Sequence, residues 1–197
     1  MFDLIDAGKL RVCSGTALSP SPDCLKKFYD NVEKYKKYII LRPQEVANSP
    51  EVARRIGVIA MNTAIEVDIY GNVNSTHICG TKIMNGIGGS GDYARNGYLT
   101  VFFTTSLAKG GAISSVVPFC SHVDHTEHDV DVIVSERGVA DLRGLSPKNV
   151  LWLSLIKLLI RNINRCFLIT SRELAKLVVI AKLRILWMKL SPSMIVS

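Results

Sequence analysis

Four glycines in one short segment, Gly86, Gly88, Gly89 and Gly91, mark the part of the sequence best suited to chemistry. Because glycine has no side chain, the backbone here can approach a ligand closely and present N–H groups in a concavity. A helix predicted to begin at Asp92 would also place its N-terminus beside an anionic group. The segment lacks the Lys-Ser/Thr pair of a Walker loop, and it fits the Rossmann fingerprint only if Gly89 counts as a variable position. On these residues alone, a tight turn without a ligand is as well supported as a binding loop.

Three histidines recur at intervals of three in a polar segment, as His122, His125 and His128, with Asp124 and Glu127 between them. Three histidines can hold a metal ion and leave one coordination position open. Even spacing in a loop does not make side chains converge, however. A polar turn held by its own hydrogen bonds is therefore the preferred interpretation.

Glu66 is a carboxylate inside an otherwise apolar stretch, NTAIEVD. Such a carboxylate is a candidate nucleophile or general base. The commoner explanation is a glutamate at a strand edge that has a structural partner, and both interpretations stay open on the residues alone.

Length and composition indicate one globular domain. The chain has 197 residues, of which 48% are hydrophobic and 21% charged, and this excludes disordered and collagen-like proteins. The net charge of +7 is unevenly placed, because residues 1–148 carry 16 basic and 16 acidic side chains. The whole surplus belongs to residues 149–197, so the basic character describes a tail and not the domain.

The tail differs from the rest of the chain in composition as well as in charge. Residues 149–197 contain no Gly, His or Asp and are rich in Leu, Ile, Lys and Arg. A basic amphipathic helix on a membrane surface would have this composition. So would a chain translated out of frame from an AT-rich gene. The most apolar stretch, Val150–Ile160, is interrupted by Lys157 and is too short to cross a bilayer.

The cysteines and the N-terminus favour a cytoplasmic protein. Five cysteines form no C-x-x-C pair, and this predicts reduced, buried thiols. They are Cys13, Cys24, Cys79, Cys120 and Cys166. Asp3 and Asp6 lie where a signal peptide would need a basic start and an apolar run.

Strand and helix patterns alternate along the chain. A helix is predicted to begin at Pro22 and to run without interruption to Tyr35. Strands are predicted at Val58–Ile69, Tyr98–Thr104 and Val130–Val134, and Arg137–Leu145 ends the ordered pattern at Ser146-Pro147. This alternation favours an α/β fold with a mostly parallel sheet.

Three segments together resemble a known family. They are NTAIEVDIYGNVNST at 62–76, GIGGSGD at 86–92 and the stretch 122–144. They closely resemble the C-terminal half of acetyl-CoA hydrolase/transferases, the class I CoA-transferase group that includes succinate (acetate) CoA-transferase. The resemblance covers about residues 2–148 and implies a layered α/β fold of the NagB/RpiA-like type. Because it stops where the composition changes, the out-of-frame interpretation of 149–197 is preferred.

The resemblance implies a stated chemistry. A glutamate attacks an acyl-CoA, an anhydride forms, and free CoA then gives a glutamyl-CoA thioester from which a second carboxylate takes the CoA. Acyl-CoA hydrolysis is a side reaction. Gly89 resembles the family's backbone donor to the oxyanion and Asn48 its side-chain amide donor, so these two are the predicted catalytic residues. Gly88, Gly89 and Lys109 are the predicted contacts to coenzyme A, and the resemblance implies no metal.

The resemblance also implies that this chain is a fragment. The family's nucleophilic glutamate precedes the segment that matches Phe2–Lys9, so residues 1–148 are expected to be a C-terminal domain truncated at its start. We expect acyl-CoA and small carboxylates as partners, a homodimer for the intact family protein, no nucleic acid or membrane partner, and little or no activity from this chain alone. The alternative is a protein that associates with membranes or nucleic acid through its basic tail.

Overall fold

The computed structural model describes residues 1–147 together with 149 and 150. The tail predicted for 149–197 therefore lies outside the described residues, apart from its first two positions. Lys148 and Cys166 also lie outside them.

Short elements alternate along the described chain. The helices are α1 (Phe2–Asp6), α2 (Pro22–Asp30), α3 (Val32–Tyr35), α4 (Gln44–Ala47), α5 (Pro50–Ile56) and α6 (Ser90–Ala94). The strands are β1 (Cys13–Gly15), β2 (Ile39–Leu41), β3 (Ile59–Thr63), β4 (Glu66–Asp68), β5 (Val73–Asn74), β6 (His77–Ile78), β7 (Lys82–Ile83), β8 (Leu99–Phe103), β9 (Leu107–Ala108), β10 (Ile113–Ser114), β11 (Val116–Val117), β12 (Val132–Ser135) and β13 (Gly138–Asp141).

A four-stranded sheet in the order β13-β12-β8-β3 is the main scaffold. Strands β3, β8 and β12 are parallel, and β13 pairs antiparallel with β12 at one edge. A second sheet, β11-β4-β5, combines a parallel and an antiparallel pair. The prediction of an α/β fold with a mostly parallel sheet is confirmed.

The core lies on one face of the main sheet. Each of the four strands buries a side chain on this face, and none of these is more than 2% exposed. They are Ala60, Phe102, Ile133 and Ala140. The second sheet packs against them through Val67, Val73 and Val116, each fully buried. Burying a side chain of this size contributes roughly 1.5–3 kcal/mol, so the contact between the two sheets stabilises the fold.

A smaller apolar cluster holds the N-terminal helices. Phe2, Ile5 and Tyr35 are buried together, and the rings of Phe2 and Tyr35 lie 4.7 Å apart. The Tyr35 hydroxyl donates to Asp6, whose carboxylate also pairs with Lys27. Helix α1 is thereby fixed to α2 and α3.

Several local predictions are wrong. The helix predicted from Pro22 to Tyr35 is interrupted at Asn31, whose φ of −132° lies outside the helical region. The strand predicted at Val58–Ile69 is divided into β3 and β4, because β3 pairs in the main sheet and β4 in the second one. The sequence pattern also missed β13.

The described cysteines are free but not buried, contrary to prediction. Cys24 and Cys79 are exposed, and Cys13 and Cys120 are half-buried. Among the described residues, none of the helices has the length and apolar character needed to span a membrane.

Candidate functional site

Asn48 lies at the short junction between α4 and α5. Its N–H donates to the carbonyl of Gln44 at 2.8 Å, so it closes the last turn of α4. Pro50 then begins α5, a position that suits proline because the N–H groups of a first turn have no partner within the helix. The junction is therefore fixed on both sides, and it points the Asn48 side chain toward the glycine segment.

Gly89 lies directly against the Asn48 carboxamide. A Cβ at Gly89 would overlap Nδ2 of Asn48 and would lie 3.1 Å from its Cγ. The backbone of Gly89 has a φ of −78°, which any residue can adopt. The close approach of Asn48, and not the backbone conformation, is what requires a glycine here.

Tyr93 orients the amide of Asn48. Its hydroxyl donates to the Ala47 carbonyl at 2.6 Å and lies 3.3 Å from Oδ1 of Asn48. With Oδ1 on the Tyr93 side, Nδ2 faces Gly89. Within the part of the chain that the structure describes, neither this Nδ2 nor the Gly89 N–H donates a hydrogen bond. Two neighbouring donors are thus available to an external acceptor.

His125 holds the glycine segment from the core side. It is fully buried, and its Nε2 lies 3.0 Å from the Ser90 hydroxyl, the residue after Gly89. Since that hydroxyl donates to the Ile87 carbonyl at 2.8 Å, it accepts from His125, which places the imidazole proton on Nε2. Nδ1 of His125 is buried without a partner. Burial lowers the pKa of His125 below its ordinary value, so the ring is neutral.

An open depression adjoins Asn48. It has a volume of about 410 Å³ and is lined by Gln44, Glu45, Asn48, Pro50 and Asp92.

The predicted coenzyme A residues are less closely assembled. Gly88 adjoins Gly89 with a φ of +55°, in the left-handed region that favours glycine. Lys109 is exposed on a 3₁₀ turn, Lys109–Gly111, between β9 and β10. In the described residues no hydrogen bond or ion pair links Lys109 to Asn48 or Gly89. The roles of these residues remain predictions.

The three evenly spaced histidines do not converge. His125 is buried against Ser90, whereas the side chain of His128 is 82% exposed. His122 instead meets His77, a residue that sequence reasoning did not single out, with ring centroids 3.8 Å apart. The helix predicted to begin at Asp92 begins at Ser90 and has five residues.

Glu66 has a structural role. Its Oε1 accepts from the Ser121 hydroxyl at 2.6 Å, from the Ser121 N–H at 2.9 Å and from Nδ2 of Asn74 at 3.0 Å. These bonds join β4 to β5 and to the segment after β11. They confirm the interpretation of Glu66 as a carboxylate with structural partners.

Tyr93 and Ser90 are the site residues that sequence reasoning missed. A tyrosine four residues after Gly89 could have indicated a contact one helical turn along, but only if the helix had been predicted to begin at Ser90. No sequence signal connects Ser90 with His125.

Residues 25–159 match the family described as the acetyl-CoA hydrolase/transferase C-terminal domain. This chain belongs to that family. The matched range contains Asn48, Gly89 and Lys109, and it covers more than half of the chain.

Curated relatives of this family member are enzymes. This chain is 66% identical over 148 residues to a succinyl-CoA:acetate CoA-transferase of Clostridium kluyveri, a match that covers 75% of this chain and 28% of the relative. It is 57% identical over 144 residues to a propanoyl-CoA:succinate CoA transferase of Escherichia coli, covering 73% and 29%. It is 50% identical over 151 residues to an acetyl-CoA hydrolase of Candida albicans, covering 75% and 29%. The chain thus spans under a third of the length of these relatives.

Solved structures support the fold of this family member. A mutant structure of RipA aligns with a TM-score of 0.75 at 22% identity, covering 88% of this chain and 42% of that one. A 4-hydroxybutyrate CoA-transferase of Porphyromonas gingivalis aligns with a TM-score of 0.66 at 20% identity, covering 87% and 42%. At these identities the likeness concerns the fold alone.

Proposed function

We propose that residues 1–148 are the C-terminal domain of an acyl-CoA:carboxylate CoA-transferase, with coenzyme A as substrate and acyl-CoA hydrolysis as a side reaction. The proposal is supported by family membership and by the CoA-transferase activity for which the Clostridium and Escherichia relatives are named. Acetyl or succinyl thioesters with acetate-type acceptors are the substrates we infer.

One observation carries the proposal, the contact between the Asn48 carboxamide and Gly89. Transfer of an acyl group passes through a tetrahedral centre whose oxygen is negative, and donors already pointed at that oxygen lower the barrier. The Asn48 amide is neutral and can donate without acting as a base. The Gly89 N–H lies beside it, so we infer that both donate to the same oxyanion.

The proposed reaction uses a carboxylate nucleophile. Its oxygen attacks the thioester carbonyl, the C–S bond breaks, and an anhydride and the CoA thiolate result. The thiolate then attacks the enzyme's acyl carbon, releases the substrate carboxylate and leaves a glutamyl-CoA thioester. A second carboxylate reverses these steps and receives the CoA. Each tetrahedral oxygen would occupy the same pair of donors.

We infer that the nucleophilic glutamate comes from outside these 197 residues. The acidic residue within the chain that sequence reasoning considered for this role, Glu66, accepts three hydrogen bonds and is held against β5. Lys109 would meet the phosphates of coenzyme A as a point charge, and Gly88 would let the backbone approach the ligand.

Rescue of activity by a free carboxylate tests both the oxyanion site and the external origin of the nucleophile. The purified chain is mixed with acetyl-CoA and a high concentration of propionate, and the conversion of acetyl-CoA to propionyl-CoA and free CoA is followed by chromatography. This readout avoids thiol reagents, which would label the exposed Cys24 and Cys79. We expect slow turnover above the solution rate. Each of Asn48→Ala and Gly89→Ala should lower that excess by roughly 10²–10³-fold.

Gly86→Ala is the matched control, because a Cβ at Gly86 meets no atom within 4 Å. It should leave the rate unchanged. A rate equal to the solution rate would contradict the oxyanion site. Turnover as fast as that of an intact relative would contradict an external nucleophile.

Assembly and compartment are further parts of the proposal. We infer that the intact protein forms a homodimer and acts in the cytoplasm. The four described cysteines are free, which accords with a reducing compartment.

A further inference from the structure

His77, His122 and Asp124 form a cluster that includes neither Asn48 nor Gly89. One ring nitrogen of each histidine and one carboxylate oxygen lie within 4.8 Å of one another. The proposed reaction uses none of these side chains. His77 belongs to β6 and the other two to the segment after β11, so the cluster joins two parts of the chain that are distant in sequence.

Backbone contacts hold both segments in place. The Asp124 N–H donates to the Val73 carbonyl at 2.9 Å. Its Oδ2 accepts from the Ser75 N–H at 2.8 Å. The N–H of His77 donates to Oδ1 of Asn74 at 3.0 Å. The ligand atoms are therefore positioned by the fold and not by flexible side chains alone.

The charge of Asp124 is incompletely balanced. Its side chain is only 7% exposed. Its Oδ2 accepts from the Ser75 N–H and from the Thr76 hydroxyl, each at 2.8 Å. Among the described residues, its one ion-pair contact is with His122 and neither a lysine nor an arginine reaches it. A buried carboxylate of this kind favours a cation beside it.

The geometry suits a divalent transition metal. Nε2 of His122 lies 3.3 Å from Oδ1 of Asp124, about the separation of two ligands on a tetrahedral ion with bonds of roughly 2.0–2.1 Å. Imidazole and carboxylate ligands together suit Zn²⁺ and Co²⁺. The side chain of His122 is 39% exposed, so solvent can reach the cluster from that side.

We propose that His77, His122 and Asp124 bind one zinc-type divalent ion, with a water in the fourth position. The ion ties the β6–β7 hairpin to the segment that follows β11. The site shares no residue with the oxyanion donors and does not depend on the proposed transferase function.

Cobalt titration of the full chain tests this site. Co²⁺ should bind with one equivalent and give the visible absorption of a tetrahedral ion, without the near-ultraviolet band of a thiolate ligand. The absent thiolate band separates this site from the exposed Cys24 and Cys79. Zn²⁺ should displace the Co²⁺ and raise the thermal midpoint of the chain.

Variants assign the ligands. His122→Ala and His77→Ala should each weaken Co²⁺ binding by at least ~10-fold and abolish the Zn²⁺-dependent thermal shift. His128→Ala is the matched control, since His128 is an exposed histidine of the same segment outside the cluster. No bound equivalent, a thiolate band, or an equal loss in His128→Ala would each overturn the proposal. His122→Ala removes a partly exposed ring, so a folded variant is expected, and circular dichroism checks it.

Discussion

Nε2 of His125 lies 3.0 Å from the hydroxyl of Ser90, and this contact ties the glycine segment to the hydrophobic core. The imidazole is fully buried and packs on the ring of Phe102, with centroids 5.0 Å apart. The position of Gly89, next to Ser90 in the chain, thus depends on a residue of the core.

The free energy of unfolding should decrease as the pH is lowered from about 6.5 toward the folded-state pKa of His125, which lies below that value. Burial is the main cause of the lowered pKa; Asp124 and Asp129 raise it, and Arg95 lowers it further. Below about pH 6.5 the imidazole of His125 takes up a proton in the unfolded chain but stays neutral in the folded one. The stability that comes from keeping this ring neutral is therefore fully present above that pH and is lost as the pH falls. Urea unfolding at a series of pH values should show a slope of at most about 1.4 kcal/mol per pH unit from this residue. His125→Phe should flatten the curve, and an unchanged slope would contradict the assignment.

Asp68→Ala should be strongly destabilising. The carboxylate is 2% exposed and accepts from the N–H groups of Tyr70 and Asn72, each at 3.0 Å, and from the Asn72 side chain at 2.9 Å. Removing it leaves several donors without partners, at a cost of about 3 kcal/mol or more in the free energy of unfolding. Asp141→Asn is the control, because the Asp141–Arg143 ion pair is exposed to solvent and should contribute little to stability. Equal losses in the two variants would argue against this account.

Gly71→Ala should cost more than Gly144→Ala. Both glycines have positive φ, +100° and +69°, so either substitution strains the backbone. A Cβ at Gly71 would also lie 2.8 Å from Cδ1 of the buried Leu142, whereas a Cβ at Gly144 meets nothing within 4 Å. We expect about 1 kcal/mol for Gly144→Ala and at least about 2 kcal/mol for Gly71→Ala by urea unfolding. Equal losses in the two variants would contradict the predicted clash and would show that Leu142 relaxes freely.

The thiols should react with an alkylating reagent in a definite order. Cys24 and Cys79 are exposed, whereas Cys120 is half-buried. Burial raises the pKa of Cys120, and the charges of Asp68 and Glu66 raise it further, so little thiolate forms near neutral pH. Peptide mapping after a timed reaction should find Cys120 modified last of these three. Rapid modification of Cys120 would indicate that the turn after β11 opens readily.

The local properties of single residues and short runs predict much of the secondary structure. Pro22 and Pro50 are the first helical residues of α2 and α5, as a ring that fixes φ and lacks an N–H favours. Apolar runs predicted the strands β8 and β12, because strands buried in a parallel sheet are apolar throughout. The edge strand β13 was not predicted, because Gly138 and Asp141 are residue types that are uncommon in strands. They form a strand here because they pair with β12.

The candidate site could be predicted from the sequence only through the family resemblance. Asn48 and Gly89 are far apart in the chain, and no spacing rule connects a helix junction with a glycine segment. Tertiary packing decided their contact, because the Tyr93 hydroxyl holds the α4–α5 junction against α6. The sequence alone determined which residues could bend sharply or donate a hydrogen bond. Only the fold decided that His122 would meet His77 and Asp124 while His125 entered the core, since even spacing in a loop does not fix the direction of a side chain.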